Sequence, residues 1–425
     1  VNGSQDKTRG DVKDSGKADL LIRNARQLLT LAGPEGPRTG EAMSHLGIVE
    51  GGAVAVKDGR IVFAGKTEEC RFESEREIDA SGRVVMPGFV DSHTHLVFAG
   101  SREEEFELRL KGTSYMEIAQ KGGGIKSTVK KTRQASKDEL IDLAEPRLDE
   151  MLRWGTTTAE VKSGYGLNNE TETKMLEAIR DLNARHPVDL IPTYLGAHDL
   201  PEEFSDDRES YVVQVIEAIP DVARKKLARF CDVFCEQGFF TVEESRRILE
   251  AASKNGLLLK LHGDELKPSG GAELAADLGA VSADHLVFAS REGMNAMKEA
   301  GTVAVLLPGT SFFLRKAAAP ARKMVDTGVT VAIASDFNPG SSPISHMPLV
   351  VGLACLLYGF TPAEAITAST VNGAWAVGLG EEVGSLEPGK KADVLILRLE
   401  SYLQVPYWFG SNPVAMVVKN GKLVV

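Results

Sequence analysis

The chain has 425 residues, 43% hydrophobic and 26% charged, which supports a large buried core and excludes a fibrous or disordered polymer. Acidic side chains number 60 against 49 basic ones, and the net charge of -11 argues against nucleic acid or an anionic membrane as main partner. An anionic small molecule would need a local cation to bind in such a field.

The first segment, 1–18, is VNGSQDKTRGDVKDSGKA: polar, without the apolar stretch of a signal peptide, and expected to be a disordered tail. Residues 19–87 then carry DLLIRNARQLLTL, GAVAVKDGRIVFAG and REIDASGRVVMPG, apolar β-branched runs broken by DG and SG turn signals. The same texture returns in ADVLILRL and AMVVKNGKLVV. Residues 19–87 and 381–425 are therefore expected to form one composite, sandwich-like β domain, with 88–380 inserted between them.

The inserted region alternates eight strand candidates with helical stretches. The strands are FVDSHTHL, GTTTAEVKS, VDLIPTYLGAH, CDVFCEQG, LLLKLHGDE, AVSADHL, TVAVLLPG and VTVAIASDFN; ETETKMLEAIRDLNA, TVEESRRILEAASKN and SREGMNAMKEAG read as helices. Thr241 followed by Glu244 is a capping-box signal for one helix start. Eight strand–helix units predict a parallel (β/α)8 barrel of the TIM type, an α/β fold, and no GxGxxG follows any strand to favour a dinucleotide-binding open sheet. In six of the eight strands a His, Asp or Glu stands at or near the C-terminal end, where barrel active sites are built.

Among these, His93 and His95 alternate with one residue between them, so both imidazoles fall on one strand face. A lone HxH is more often a hydrogen-bonded rim pair than a metal site. Here His262 ends LLLKLH and Asp336 ends TVAIASD, so the four candidate ligands come from the ends of three strands. Three imidazoles and a carboxylate suit one divalent ion, Zn or Fe, with a position left for water. Such an ion activates water by lowering its pKa from 15.7 to about 7. Glu265, three residues after His262, and His285, at the end of SADHL, are candidates for catalytic proton transfer alongside Asp336. Alternation along an extended chain places Asp264 opposite Glu265, and Asp284 opposite His285, so neither Asp is favoured for catalysis.

Several other features weigh less. Lys162 ends the second strand and reads as structural or outer-shell. Gly122 to Gly124 lack the ending of a phosphate loop and suggest a flap over the site. His45 and His186 look like surface or loop residues, while His346 lies in the loop after Asp336, within possible reach of the site. The four cysteines, Cys70, Cys231, Cys235 and Cys355, form no disulfide framework, which fits a reducing cytoplasm. No window is long and charge-free enough to span a bilayer, so neither membrane nor nucleic acid is expected as a partner.

VMPGFVDSHTHL, LHGDE, ADHL, IASDFNPG and SLEPGKKADVLIL together resemble the amidohydrolase superfamily over nearly the whole chain. The fourth strand, FCDVFCEQG, lacks the lysine that bridges two metals in many members. The set therefore resembles the mononuclear branch, which includes cytosine deaminases. Within that branch VFAGSREEEFELRLKGTSYMEIAQKGGGI, VKSGYGL, YLGAH, HGDEL and SDFNPGSSP are similar to the ring-opening hydrolases of 4-imidazolone-5-propanoate. That resemblance implies hydrolysis to N-formimidoyl-L-glutamate, the third step of histidine degradation, in a cytoplasmic homodimer.

By the same resemblance Arg102 binds the substrate carboxylate. Tyr115, Tyr165 and His198 contact the substrate, Glu265 meets its ring, and Asn338, Gly340 and Ser341 line the far side. The chemistry of Arg102 agrees independently, since a guanidinium holds a carboxylate through two parallel hydrogen bonds. Its bland reading is a surface salt bridge with one of Glu103 to Glu105. The glycines beside Tyr165 suggest a loop that approaches a ligand closely. The nearest alternative activity is deamination of a cytosine-like or guanine-like ring by the same ligand set; a non-catalytic scaffold is the alternative of another class.

Overall fold

The eight apolar runs become eight strands, all paired in parallel and in chain order: β1 (Phe89–Asp91), β2 (Thr156–Lys162), β3 (Asp189–Ala197), β4 (Phe230–Cys235), β5 (Leu258–Gly263), β6 (Ser282–His285), β7 (Val303–Leu306) and β8 (Val331–Ile333). The computed structural model describes residues 15–113, 117 and 122–425. Closure of the barrel occurs just past the ends of β8 and β1. There Asp336 N donates to His93 O at 3.0 Å, His95 N donates to Phe337 O at 2.9 Å, and Thr94 bridges to Phe337.

The helices cover the outside of this barrel with the faces their periodicity assigns. Asn169–Arg185 buries Met175, Leu176, Ile179 and Leu182. Val242–Lys254 buries Ile248 and Leu249, and its start carries the expected capping box: the Thr241 hydroxyl accepts from Glu244 N, and the Glu244 carboxylate accepts from Thr241 N. The inside of the barrel is different in character. Glu160, Lys162, Asp232, Lys260 and Asp284 are all fully enclosed there. Charged groups survive at such depth only when paired, and each of these is.

The terminal segments meet as their shared texture predicts. Val84–Pro87 pairs antiparallel with Val394–Leu397 and parallel with Gln27–Leu29, inside a six-stranded sheet that also holds Val414–Lys419. A four-stranded sheet built on Leu20–Ala25, Gly52–Lys57 and Arg60–Lys66 packs against it. Leu20, Ile22, Val54 and Val56 from one sheet share a core with Leu28, Val85, Val394 and Ile396 from the other, which gives the sandwich. Only Gly88 separates Val84–Pro87 from β1. A Cβ there would collide with the Thr157 side chain on β2, so the small residue permits the tight passage from sandwich to barrel.

One expectation needs adjustment at the start of the chain. Ser15–Lys17, read as the end of a disordered tail, pairs in parallel with Arg71–Glu73, so backbone hydrogen bonding recruits these polar residues to a strand edge. The rest of that segment, 1–14, lies outside the described residues, as does Tyr115. No helix among the described residues is long and apolar enough to cross a membrane.

Candidate metal and substrate site

Four chain segments meet at the C-terminal mouth of the barrel. His93 and His95 sit just beyond β1 rather than within it, because the strand ends at Asp91 where the chain turns to bond β8's extension. The pair still faces one point, with ring centroids 5.3 Å apart. His262 is in β5, and its ring centroid lies 4.5 Å from that of His93. Asp336 follows β8 by three residues in a left-handed conformation (φ 52°), with Oδ1 at 3.4 Å from His93 Nε2 and 3.7 Å from His95 Nε2.

The ligand-capable atoms fall into two overlapping groups, each within 4.8 Å: His93, His95 and Asp336, and His93, His262 and His285. His93 belongs to both. The four expected ligands thus converge, and His285 joins them through His93 and His262.

The chemistry of these donors fits a divalent ion. Burial, reinforced by neighbouring cations and imidazoles, holds His93, His95 and His262 well below the ordinary histidine pKa, so all three are neutral as ligands must be. His93 Nδ1 lies 2.6 Å from Asp284 Oδ2, and His262 Nδ1 lies 3.0 Å from Asp232 Oδ1. A carboxylate on Nδ1 selects the tautomer whose Nε2 carries a lone pair. Both Nε2 atoms are buried without a hydrogen-bond partner among the described residues, a costly arrangement that a cation would relieve. Burial lifts the Asp336 carboxyl to about 6, against the opposing pull of His285 and of the Thr310 hydroxyl, which donates to Asp336 Oδ2 at 2.6 Å.

Above these donors lies a cavity lined by His95, Arg102, Tyr165, His198, Glu265 and His285, with Asp336, Asn338, Gly340 and Ser341 on its far side. Except for Tyr115, every residue assigned to substrate contact is in this wall. His198 stacks on His95 at 5.0 Å and 15°, and its Nδ1 donates to Gly164 O at 2.8 Å. Burial lowers its pKa to about 4, opposed by that same carbonyl. The glycines flanking Tyr165 meet a packing need: a Cβ on Gly164 would meet His198 Nδ1 at 2.9 Å, and one on Gly166 would meet Glu172 N at 2.6 Å. The buried Glu172 carboxylate shapes this loop by accepting from Gly164 N, Gly166 N and Leu167 N.

Arg102 makes the ion pair of its bland reading, but from within the cavity wall. Its Nε and Nη2 lie 2.9 and 2.8 Å from Glu105 Oε2, the predicted salt bridge, yet its side chain is only 7% exposed and faces the cavity. A Cβ on Gly340 would collide with Arg102 Nη1, so the absence of a side chain at 340 makes room for the guanidinium. Asn338 spends its amide on its own loop: Oδ1 accepts from Gly340 N and Ser341 N at 2.8 Å each, and Nδ2 donates to Asp336 O at 2.6 Å.

Glu265 and Asp264 diverge as expected, though through a turn after β5, with Asp264 at φ 52°, and not by strand alternation. Glu265 faces the cavity with Oε2 at 3.6 Å from His285 Nδ1, while Asp264 accepts from Ser269 N, Gly270 N and Ala272 N behind it. Glu236, which sequence reasoning passed over, accepts from both Glu265 N and Leu266 N at 2.9 Å and so fixes this turn. Sequence reasoning also passed over Asp232 and Asp284 as partners of the histidines; their signal is an Asp inside a barrel strand, three residues and one residue before its end. His346 does not approach the site. It stacks on Trp154 at 3.9 Å beside Glu150, at the chain's entry to β2, the opposite end of the barrel.

Residues 84–424 match the family model for the amidohydrolase family. The chain is 52% identical over 414 residues to the imidazolonepropionase of Geobacillus kaustophilus (strain HTA426), covering 96% of this chain and 98% of that one. It is 53% identical over 415 residues to the imidazolonepropionase of Symbiobacterium thermophilum, covering 96% and 97%. Among solved structures, an adenosine deaminase from Xanthomonas campestris with bound zinc superposes with a TM-score of 0.74 at 21% identity over 96% of this chain and 93% of that one. An atrazine chlorohydrolase from Arthrobacter aurescens TC1 complexed with zinc gives 0.68 at 18% over 96% and 95%. The structural matches are at identities that speak for the fold alone, whereas the sequence matches run nearly end to end at about half identity. With its barrel, its strand-end histidines and these relatives together, the chain is a hydrolase of the amidohydrolase family and belongs among the imidazolonepropionases.

Proposed function

We propose that the chain hydrolyses 4-imidazolone-5-propanoate to N-formimidoyl-L-glutamate, the third step of histidine degradation, using one divalent ion, zinc or iron. The observation that carries this reading is the pairing of a buried guanidinium, Arg102, with neutral imidazoles whose Nε2 atoms lack partners, across one cavity. His93, His95, His262 and Asp336 would hold the ion. When bound, it supplies an activated water and polarises the carbonyl.

The chain's own residues account for the rest. Arg102 takes the propionate, exchanging part of its contact with Glu105 for the substrate carboxylate. Tyr165 and His198 bracket the ring, while Gly340 and Ser341, on the turn that Asn338 ties, set the depth of the far wall. His285 stabilises negative charge growing on the carbonyl oxygen, and Asp336 shares the initial deprotonation of water. Glu265 carries a proton to the leaving ring nitrogen. The amide C–N bond breaks, the carbonyl carbon becomes a carboxylate, and the nitrogen stays in the formimidoyl group. One water is consumed and no ammonia leaves.

Incubation with imidazolone propionate therefore yields a product heavier by one water, without ammonia. Chelation abolishes the reaction, and readdition of zinc or iron(II) separately identifies the ion that restores it. Ammonia release from a cytosine-like or guanine-like ring, with no turnover of the imidazolone, would replace this reading by the deaminase one.

A homodimer belongs to the same proposal. Leu356, Tyr407 and Trp408 are 72%, 73% and 53% exposed on Met347–Tyr358, on the adjoining Gln404–Tyr407 segment and at its C-cap, an apolar area that a second copy would cover. Light scattering on the purified protein gives twice the chain mass of 45.7 kDa if this is right, and the single mass if it is wrong.

A further inference from the structure

Lys162 is not part of the wall of the cavity above the donors, and its ammonium is fully enclosed within the barrel. Nζ lies 2.7 Å from Glu160 Oε1, 2.7 Å from Asp232 Oδ2 and 3.4 Å from Asp284 Oδ2. Asp232 and Asp284 are the two carboxylates that hold Nδ1 of His262 and His93. A single cation thus stands behind both imidazoles, one carboxylate removed from each.

The surrounding groups make this arrangement specific. Asp284 keeps its other oxygen on Ser282 Oγ at 2.7 Å, and Asp232 Oδ1 also accepts from His262 N at 3.1 Å. Glu160 Oε1 is anchored by Thr193 Oγ1 at 2.5 Å, with Lys260 Nζ at 3.7 Å. The layer therefore contains three carboxylates, Glu160, Asp232 and Asp284, against two ammoniums, Lys162 and Lys260. Lys260 is turned to backbone carbonyls, Ser92 O at 3.0 Å and Ala376 O at 3.4 Å, so Lys162 alone bonds to both histidine partners. Without it, two like-charged carboxylates would lose their shared counter-ion in a medium that screens poorly.

We propose that Lys162 is a positioning residue for the metal centre: by bridging Asp232 and Asp284 it sets His262 and His93 jointly in the orientation that turns both Nε2 lone pairs toward one ion. The inference rests on the metal-dependent reading above and extends it to a residue on a different strand from any ligand. Partners that orient a ligating imidazole typically govern affinity by 10–100-fold, and Lys162 acts on two such partners at once.

The test compares full-length, metal-stripped wild type with Lys162→Met and Lys419→Met. Lys419 is a fair control, since its ammonium is also buried between carboxylates, Asp393 at 2.6 Å and Asp189 at 2.8 Å, but in the sheet region away from the mouth. Zinc affinity is measured by competition with a chelator, and the cobalt(II)-loaded forms are compared by visible absorption. Lys162→Met is expected to raise the zinc Kd by ~10–100-fold and to alter the cobalt spectrum. Lys419→Met is expected to melt earlier and leave both unchanged.

Should Lys162→Met fail to fold, Lys162→Met/Glu160→Gln keeps the net charge of the layer while still removing the bridge, and the same loss of affinity is expected. Wild-type zinc affinity in either folded Lys162 variant overturns the proposal, as does an equal loss of affinity in Lys419→Met. A wild-type chain that binds no divalent ion overturns the metal-dependent reading itself, so the two failures are told apart.

Discussion

Glu265→Gln lowers kcat by ~10²–10⁴-fold and leaves metal content unchanged, the range expected when a general acid–base group is removed. The structure separates these two readouts. Glu265 belongs to neither group of ligand-capable atoms, so its charge can be removed without touching the donors. Glu236 accepts from Glu265 N and from Leu266 N, bonds that Glu265→Gln retains, so the turn keeps its shape. Glutamine is close in size and still reaches toward His285, but it cannot accept a proton. KM should move little, because the carboxylate anchor lies across the cavity on another segment. Metal analysis beside steady-state kinetics checks the claim, and normal turnover would remove Glu265 from the chemistry.

Arg102→Ala should act on the other kinetic parameter. Loss of a buried charge pair costs ~2–5 kcal/mol, seen here as a rise in KM with metal content intact. The near-complete enclosure of this side chain separates the prediction from that for an ordinary surface arginine, whose ion pair contributes ~0–1 kcal/mol. Arg102→Lys should recover only part of the loss, since an ammonium offers a point charge where the guanidinium offers two parallel donors. An unchanged KM in Arg102→Ala would refute the carboxylate assignment.

Much of this architecture was legible in the residue string because a parallel barrel writes itself plainly. Each strand is a short apolar run, each is followed by an amphipathic helix, and the polar residues that matter stand where a run stops. His93, His95, His262 and Asp336 were visible for that reason. The residues that support them were less so. Asp284 was set aside because alternation turns it away from His285, and it does turn away, but into the barrel interior, where His93 waits for an acceptor. His285 itself departs from extended geometry, with φ at 74°, so a simple two-residue period could not predict what either side chain meets.

Asp232 was hidden differently. FCDVFCEQG reads as an apolar strand with one stray acid, and nothing local reveals that Lys162, 70 positions earlier, supplies its counter-ion. Thr310 offered no signal at all, since it reaches Asp336 from a helix after β7 rather than from a strand end. Contacts between distant segments are the part that periodicity cannot carry. Ser15–Lys17 failed for a related reason: a strand edge binds backbone, and side-chain polarity does not report it.

The position of Val84–Pro87 has a mechanical consequence. That strand is clasped on one side by Gln27–Leu29 and on the other by Val394–Leu397, and one glycine later the chain enters the segment bearing His93 and His95. The terminal sheets are thus a foundation for the catalytic mouth rather than an ornament beside it. A histidine pair on a freely fraying strand would pay an ordering cost at every encounter with its ion, whereas this pair inherits the stiffness of a sandwich stitched shut by the far end of the polypeptide.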